Sequence, residues 1–326
     1  MFSFYRGRLH WLLLLAILGG FQTAEAQSFP SRPISLVVPF AAGGGTDSIA
    51  RDMAKLMSER LGQTVLVENR GGAGGALGAD AVAKAKADGH TLLFATSTFA
   101  THAAMSPRLP YDPIKDFASV AMIGRGPLLV VGSRQLGART LTELIAIGKT
   151  KAGGLNYCSA GEGSINHLAG ELFSQKTGLA MTHVPFKGSG PATVELLAGR
   201  VDLFMATVPT ILTHVKESKL PVLAVTGAQR SPLFPDVPTM AQAGVADFEM
   251  TTWVGMLVPK NTSSHIINVL STALLKAVAL PEVAAKMQAC CSARMLKKTP
   301  EAFAQYMRDD QVRWAKKITE AGVKPE

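Results

Sequence analysis

After Pro30 the chain alternates short apolar runs with amphipathic stretches, the pattern of α/β layers in which buried strands lie between helices. Residues 34–39 (ISLVVP) read as a buried strand. Gly43-Gly44-Gly45 interrupts it, and a helix follows with Ile49, Met53, Leu56, Met57 and Leu61 at helical spacing. Gly62 is placed to end that helix in a left-handed conformation. Residues 64–68 form a second strand, 71–75 a glycine-rich turn, 78–87 a helix and 91–96 a third strand. This order predicts a mainly parallel sheet with right-handed crossovers.

Residues 116–131 read as a crossing segment into a second unit, punctuated by Gly124 and Gly126-Pro127. Inside it, 155–159 is a strand, 164–177 a helix and 181–186 a strand. Residues 191–198 are a helix entered by proline and left at Gly199. Buried strands follow at 201–206 and 222–226, then a proline-rich return over 232–238. Residues 253–259 predict a strand rejoining the first unit. The tail is helical over 264–279, 281–290 and 299–321. Phe303, Met307, Trp314 and Ile318 face inward on the last helix, and Asp310 interrupts their stripe. The first domain is thus 27–125 with 250–326, and the second is 126–249.

The amino terminus changes the setting. Arg6 and Arg8 flank an apolar run over 12–18, Gly19-Gly20 ends it, and Ala24-Glu25-Ala26 gives the small-x-small pattern of a processing site. The run is shorter than the roughly 20 residues of a spanning helix. It predicts a cleaved secretory signal rather than an anchor, a mature chain from Gln27, and a periplasmic protein. Removing 26 of 326 residues leaves 300, enough for two cores. The net charge of +9 becomes +8, because the leader carries Arg6 and Arg8 against Glu25. The cations are scattered, which argues against nucleic acid and for a small anionic ligand. Cys158 could bridge Cys290 or Cys291 at most once; free buried thiols are the favoured reading.

Three strand-to-helix loops share a chemistry: 41–47 (AAGGGTD), 159–164 (SAGEGS) and 187–191 (KGSGP). A helix start offers unpaired N–H groups and the positive end of the helix dipole, so it binds anions without a charged side chain. Ligands in open α/β sheets collect at the strand ends where such loops lie. The same loops also read as ordinary turns with Asp47, Ser164 and Ser189 as helix caps. Asp47 repels an anion and is better suited to tying down its own loop. Catalytic motifs are poorly supported. Ser159 and Ser189 lack the glycine two residues before that a nucleophile elbow needs. Gly148-Lys149-Thr150 lacks the first glycine of a phosphate loop. No histidines stand four residues apart to hold a metal. Cys158 reads as a buried strand-end thiol. An exported enzyme acting on a small carboxylic acid through Ser159 or Cys158 is the competing reading.

At these same loops the chain resembles the extracytoplasmic receptors of tripartite tricarboxylate transporters, or Bug receptors. The likeness is carried by 39–51 (PFAAGGGTDSIAR), 68–75 (ENRGGAGG), 156–173 (NYCSAGEGSINHLAGELF), 183–202 (HVPFKGSGPATVELLAGRVD), 235–239 (PDVPT) and the region of Trp253. It implies a type II-like periplasmic binding protein, two α/β domains joined by two crossover segments and closing like a flytrap on one ligand. By position it implies ligand contacts from Phe40, Gly44, Gly45 and Asp47, from Ser97 and Thr98, and from Ser159, Ala160, Gly161, Ser164 and Lys187. Gly71 departs from the family's usual proline, implying a looser turn, and His102 falls near a position often held by asparagine. The implied ligand is a small organic carboxylate: a dicarboxylate or tricarboxylate, an amino acid or an aromatic acid. The implied partners are membrane permease subunits, with a sensor kinase as a second destination, and no cofactor or metal is required.

Overall fold

The computed structural model describes residues 29–106, 108–291, 294–320 and 322–323, the side chains of 289–291 excepted. Arg32–Glu326 forms one compact unit. The expected leader and the thiols of Cys290 and Cys291 lie outside the described residues. In chain order the elements are β1 (Ile34–Val38), α1 (Gly45–Leu61), β2 (Val65–Asn69), α2 (Ala76–Ala83), β3 (Thr91–Thr96), α3 (Thr98–Met105) and β4 (Phe117–Gly132). Then come α4 (Leu141–Thr150), β5 (Leu155–Ser159), α5 (Ile165–Thr177), β6 (Met181–Pro185), α6 (Ser189–Leu197), β7 (Leu203–Thr207), α7 (Val208–Lys216) and β8 (Val222–Val225). The chain closes with β9 (Thr251–Pro259), α8 (Ser264–Val278), α9 (Pro281–Cys291), β10 (Arg294–Lys298) and α10 (Pro300–Glu320).

The fold is α/β with mixed sheets. β2, β1 and β3 pair in parallel, as the crossover pattern requires, and β9 then runs antiparallel to β3. β6, β5 and β7 form a second parallel set, to which β4 adds antiparallel beside β7. The inner parallel strands β1 and β3 are apolar on both faces, as expected of strands covered by helices, while the edge strands β2 and β6 are partly exposed. Ile34, Leu36 and Val38 in β1 and Leu92, Leu93 and Phe94 in β3 are fully buried.

The segment over 116–131 is more than a connection. It is one long strand, β4, which pairs with β9 from Phe117 to Pro127 and with β7 from Leu128 to Gly132. Register shifts between Ser119 and Ala121 and between Met122 and Gly124 bend it. Pro127 has no N–H to donate, and there the ladder exchanges one partner for the other. The glycines and proline thus mark a bend and a change of partner within a strand.

Local chemistry sets the helix ends. Gly62 takes φ 66° and closes α1 as expected. Thr140 caps α4 by accepting the Glu143 N–H, so Gly148-Lys149-Thr150 is the last turn of a helix. The structure adds α3, α7 and β10, which the apolar pattern does not announce. α3 (TFATHAAM) lacks a polar face because it is buried. α10 packs on α3 and β4, and α8 on α1 and β4, so the tail returns to the first sheet. Asp310 breaks the stripe of α10 for a reason: it accepts the indole N–H of buried Trp253 at 2.7 Å.

Candidate functional site

The carboxyl ends of β1, β3, β5, β6 and β7 all open toward one cleft, and the helix that follows each of them begins at its wall. The cleft holds about 730 Å³ of empty volume, its open mouth included. Gly44 and Gly45 bring in the start of α1, Thr98 that of α3, Ile165 and Asn166 that of α5, Ser189 that of α6, and Val208 that of α7. The starts of α1, α3, α6 and α7 have no side-chain cap. Away from the cleft, Thr140 and Ser263 cap α4 and α8. These helix starts and the positive ends of their dipoles therefore border one space, although the first N–H of α1 is taken by Thr210 Oγ1 and that of α3 by Thr96 Oγ1.

Hydrogen bonds join the loops of the first sheet to those of the second across this cleft. The Ala41 N–H donates to Lys187 O at 2.9 Å, and the Gly45 N–H to Thr210 Oγ1 at 3.0 Å. Thr101 Oγ1 donates to Gly163 O at 2.9 Å, while Thr98 Oγ1 accepts the Ile165 N–H at 3.3 Å. Glycine permits the close approach. A Cβ on Gly74 would stand 1.9 Å from Glu162 O, and one on Gly71 would stand 2.9 Å from Ala41 N. Gly71 is therefore a tight contact between loops, not a loose turn.

Of the residues expected at the ligand, Phe40, Gly44, Gly45, Thr98 and Ala160 line the cleft. The others stand behind its wall. Buried Asp47 accepts from the Gly43 N–H, from Asn69 Nδ2 and from Arg51. Burial pushes its carboxyl upward, but these hydrogen bonds outweigh burial and hold it below the usual carboxylate range. Ser97 bonds Thr252 Oγ1 at 2.8 Å. Ser164 caps α5 through the His167 N–H. Gly161 packs on Gly74, and Lys187 is exposed on the outer side of its loop, in a separate groove with Gly161.

Ser159 is the most chemically suggestive of these. Its Oγ lies 2.6 Å from His183 Nε2 and accepts the Gly161 N–H at 3.0 Å. His183 stacks on His167 with ring centroids 3.8 Å apart, and the rings of both also stack on Tyr157. Burial, and then the neighbouring His167, push His183 down to about 3. Burial and the neighbouring ring disfavour the imidazolium that proton transfer from serine would create, and Ser159 is fully buried. Cys158 is fully buried too, its thiol pushed up by burial and donating to Ala192 O and Leu203 O. Neither residue is an accessible nucleophile.

The cleft also contains residues that were not among the expected ligand contacts, two of them (Thr46 and Ser189) from the loops already singled out. Thr46, Asn166, Ser189, Thr207 and Thr252 add polar groups; Ile49, Val208, Trp253, Val254 and Met287 add apolar ones. Arg125 lines it from β4, and its signal was present in the sequence: one charge inside the apolar run ASVAMIGRGPLLVV.

The model of the tripartite tricarboxylate transporter family receptor matches residues 49–323 of this chain. The chain belongs to that family. Among solved structures similar to this receptor, the periplasmic binding protein BugD is 33% identical, with 91% of this chain and 100% of that one covered and a TM-score of 0.88. Rpa4515 of R. palustris, solved with adipate, is 32% identical, covering 91% and 100%, with a TM-score of 0.88. MatC of Rhodopseudomonas palustris, with bound malate, is 33% identical, covering 88% and 99%, with a TM-score of 0.84. The receptor is thus a solute-binding protein of a transport system and not an enzyme.

Proposed function

We propose that this receptor captures a small organic carboxylate in the cleft and delivers it to the membrane permease subunits of a tripartite transporter. The observation that carries the reading is the convergence of uncapped helix starts on one space. Backbone N–H groups there hold a carboxylate without a matching cation for each oxygen. Residues 27–125 with 250–326 act as one lobe and 126–249 as the other, with β4 as one crossing and the return into β9 as the second. The bonds from Ala41 to Lys187 and from Gly45 to Thr210 latch the closed form. Ligand shifts the population toward that form, which the permease then recognises. The leader over 1–26 directs export, and the mature chain begins at Gln27 in the periplasm. Relatives solved with adipate and malate support a carboxylate as the class of ligand.

Native mass spectrometry of gently purified protein should find a co-purifying acid, and a panel of dicarboxylates, tricarboxylates, amino acids and aromatic acids should contain one that raises Tm. At a hundred times Kd, the gain is about 2.7 kcal/mol. A panel without any shift, on protein that carries no acid, would sink the proposal.

A further inference from the structure

We propose that Arg125 makes this receptor selective for dicarboxylates, holding the second carboxylate of a ligand whose first lies at the helix starts. The inference rests on the carboxylate reading above and names the substrate class for it. Among the described residues that line the cleft, Arg125 is the one with a charged side chain. It is half-buried in β4, and no hydrogen bond or ion pair to its side chain occurs among the described residues. Other arginines bordering the molecule's interior are matched: Arg51 with Asp47, and Arg313 with Asp310. A half-buried guanidinium without an anion forgoes the planar, two-pronged pairing for which its fork of N–H donors is suited.

Its neighbours sharpen the demand. Arg294 of β10 stands directly opposite Arg125 in the antiparallel register, so a like charge faces it across the strands. No aspartate or glutamate lines the cleft among the described residues, and Asp47 is turned away and neutralised. An incoming carboxylate therefore meets no competitor for Arg125. On the other side of β4, Trp253 of β9 is its register partner and lines the same cleft. With Ile49, Val208 and Val254 it provides apolar wall for an aliphatic spacer. The chemistry that fits is two carboxylates joined by a short hydrocarbon chain.

The test is calorimetric titration of the receptor with succinate, glutarate and adipate, each against its own monoamide. The amide removes one charge and leaves size almost unchanged. For the best-fitting length, the diacid should bind about tenfold to a hundredfold tighter than its monoamide. Arg125→Gln should bring that ratio close to one, weakening the diacid more than its monoamide. Arg125→Lys, which keeps the charge and loses the fork, should retain only part of the preference, and it serves if Arg125→Gln fails to fold. A wild-type receptor that binds both members of each pair equally, or a folded variant with an unchanged ratio, would overturn the assignment and leave the carboxylate reading standing. If neither diacid nor monoamide binds, and the wider panel is also silent, the carboxylate reading itself fails and Arg125 with it.

Discussion

The loops that open α1 and α5 have nearly the same composition and opposite uses. In 41–47 (AAGGGTD) the one acidic side chain is turned back into its own loop, no side chain caps the helix, and Gly44, Gly45 and Thr46 lie along the cleft. In 159–164 (SAGEGS) the two serine side chains fold inward, while Glu162 is exposed. Ser159 bonds His183 and Gly161, Ser164 caps α5, and the Gly163 N–H goes to His167 Nδ1. Only Ala160 of that loop lines the cleft. The first loop therefore presents backbone to the cleft, and the second is a self-braced wall beside it. Hydroxyls in a glycine-rich loop are as able to stiffen it as to bind.

The largest expected effect separates closure from local strain. Gly74 sits at φ 56°, and a Cβ there would stand 1.9 Å from the Glu162 carbonyl of the self-braced loop. Gly62 has φ 66° and nothing within 4 Å of such a Cβ. Both Gly→Ala changes carry the left-handed penalty of about 1–2 kcal/mol. Gly74→Ala alone should also keep the loops apart, lowering affinity for the best acid of the panel about a hundredfold; Gly62→Ala should lower only Tm. Small-angle scattering should show that Gly74→Ala stays expanded with ligand present. Equal affinity for the two variants would remove the closed contact from the mechanism.

A smaller effect tests the wall. If Ser159 and Ser164 brace their loop rather than touch the ligand, replacing both with Ala should appear first in stability. A lost buried hydrogen bond and a lost cap each cost about 1 kcal/mol. Tm should fall by the equivalent of about 2 kcal/mol, with affinity changed only a few-fold at a temperature where the variant is folded. A tenfold or larger loss of affinity at unchanged Tm would return these hydroxyls to the ligand, where the family pattern alone would put them.

Much of this fold was legible in the sequence, because buried parallel strands and amphipathic helices write different periods. β1, α1, β3 and α10 stand close to where their patterns put them. α3 and β10 were not legible. The first is buried all round, and the second (RMLKK) is mostly charged and earns its place by pairing with β4. The site was legible at the level of loops and not of side chains. Composition locates a helix start, but whether Asp47 or Ser159 faces the ligand depends on partners such as Asn69 and His183, distant in sequence. Arg125 and Trp253 reach the cleft only because β4 and β9 run side by side across it.

The mildest prediction concerns acid. Burial pushes His102 down to about 4, and burial together with His167 pushes His183 down to about 3. Burial also lowers His167, against the opposing pull of Glu171 and Glu162. In the unfolded chain these rings take up protons near pH 6.5. Folding therefore excludes protons that the unfolded state binds, so stability is full above about pH 6.5 and declines steadily as pH falls toward 4. His183→Asn removes the titrating ring and keeps a side chain able to bond Ser159 Oγ. Its Tm should start lower at pH 7.5 and fall less between pH 7 and pH 4.5 than that of the parent. An identical slope in both proteins would mean that the stacked rings of α5 and β6 behind the self-braced loop are solvated enough to accept protons in place, and the contrast between the two loops would lose its rigid member.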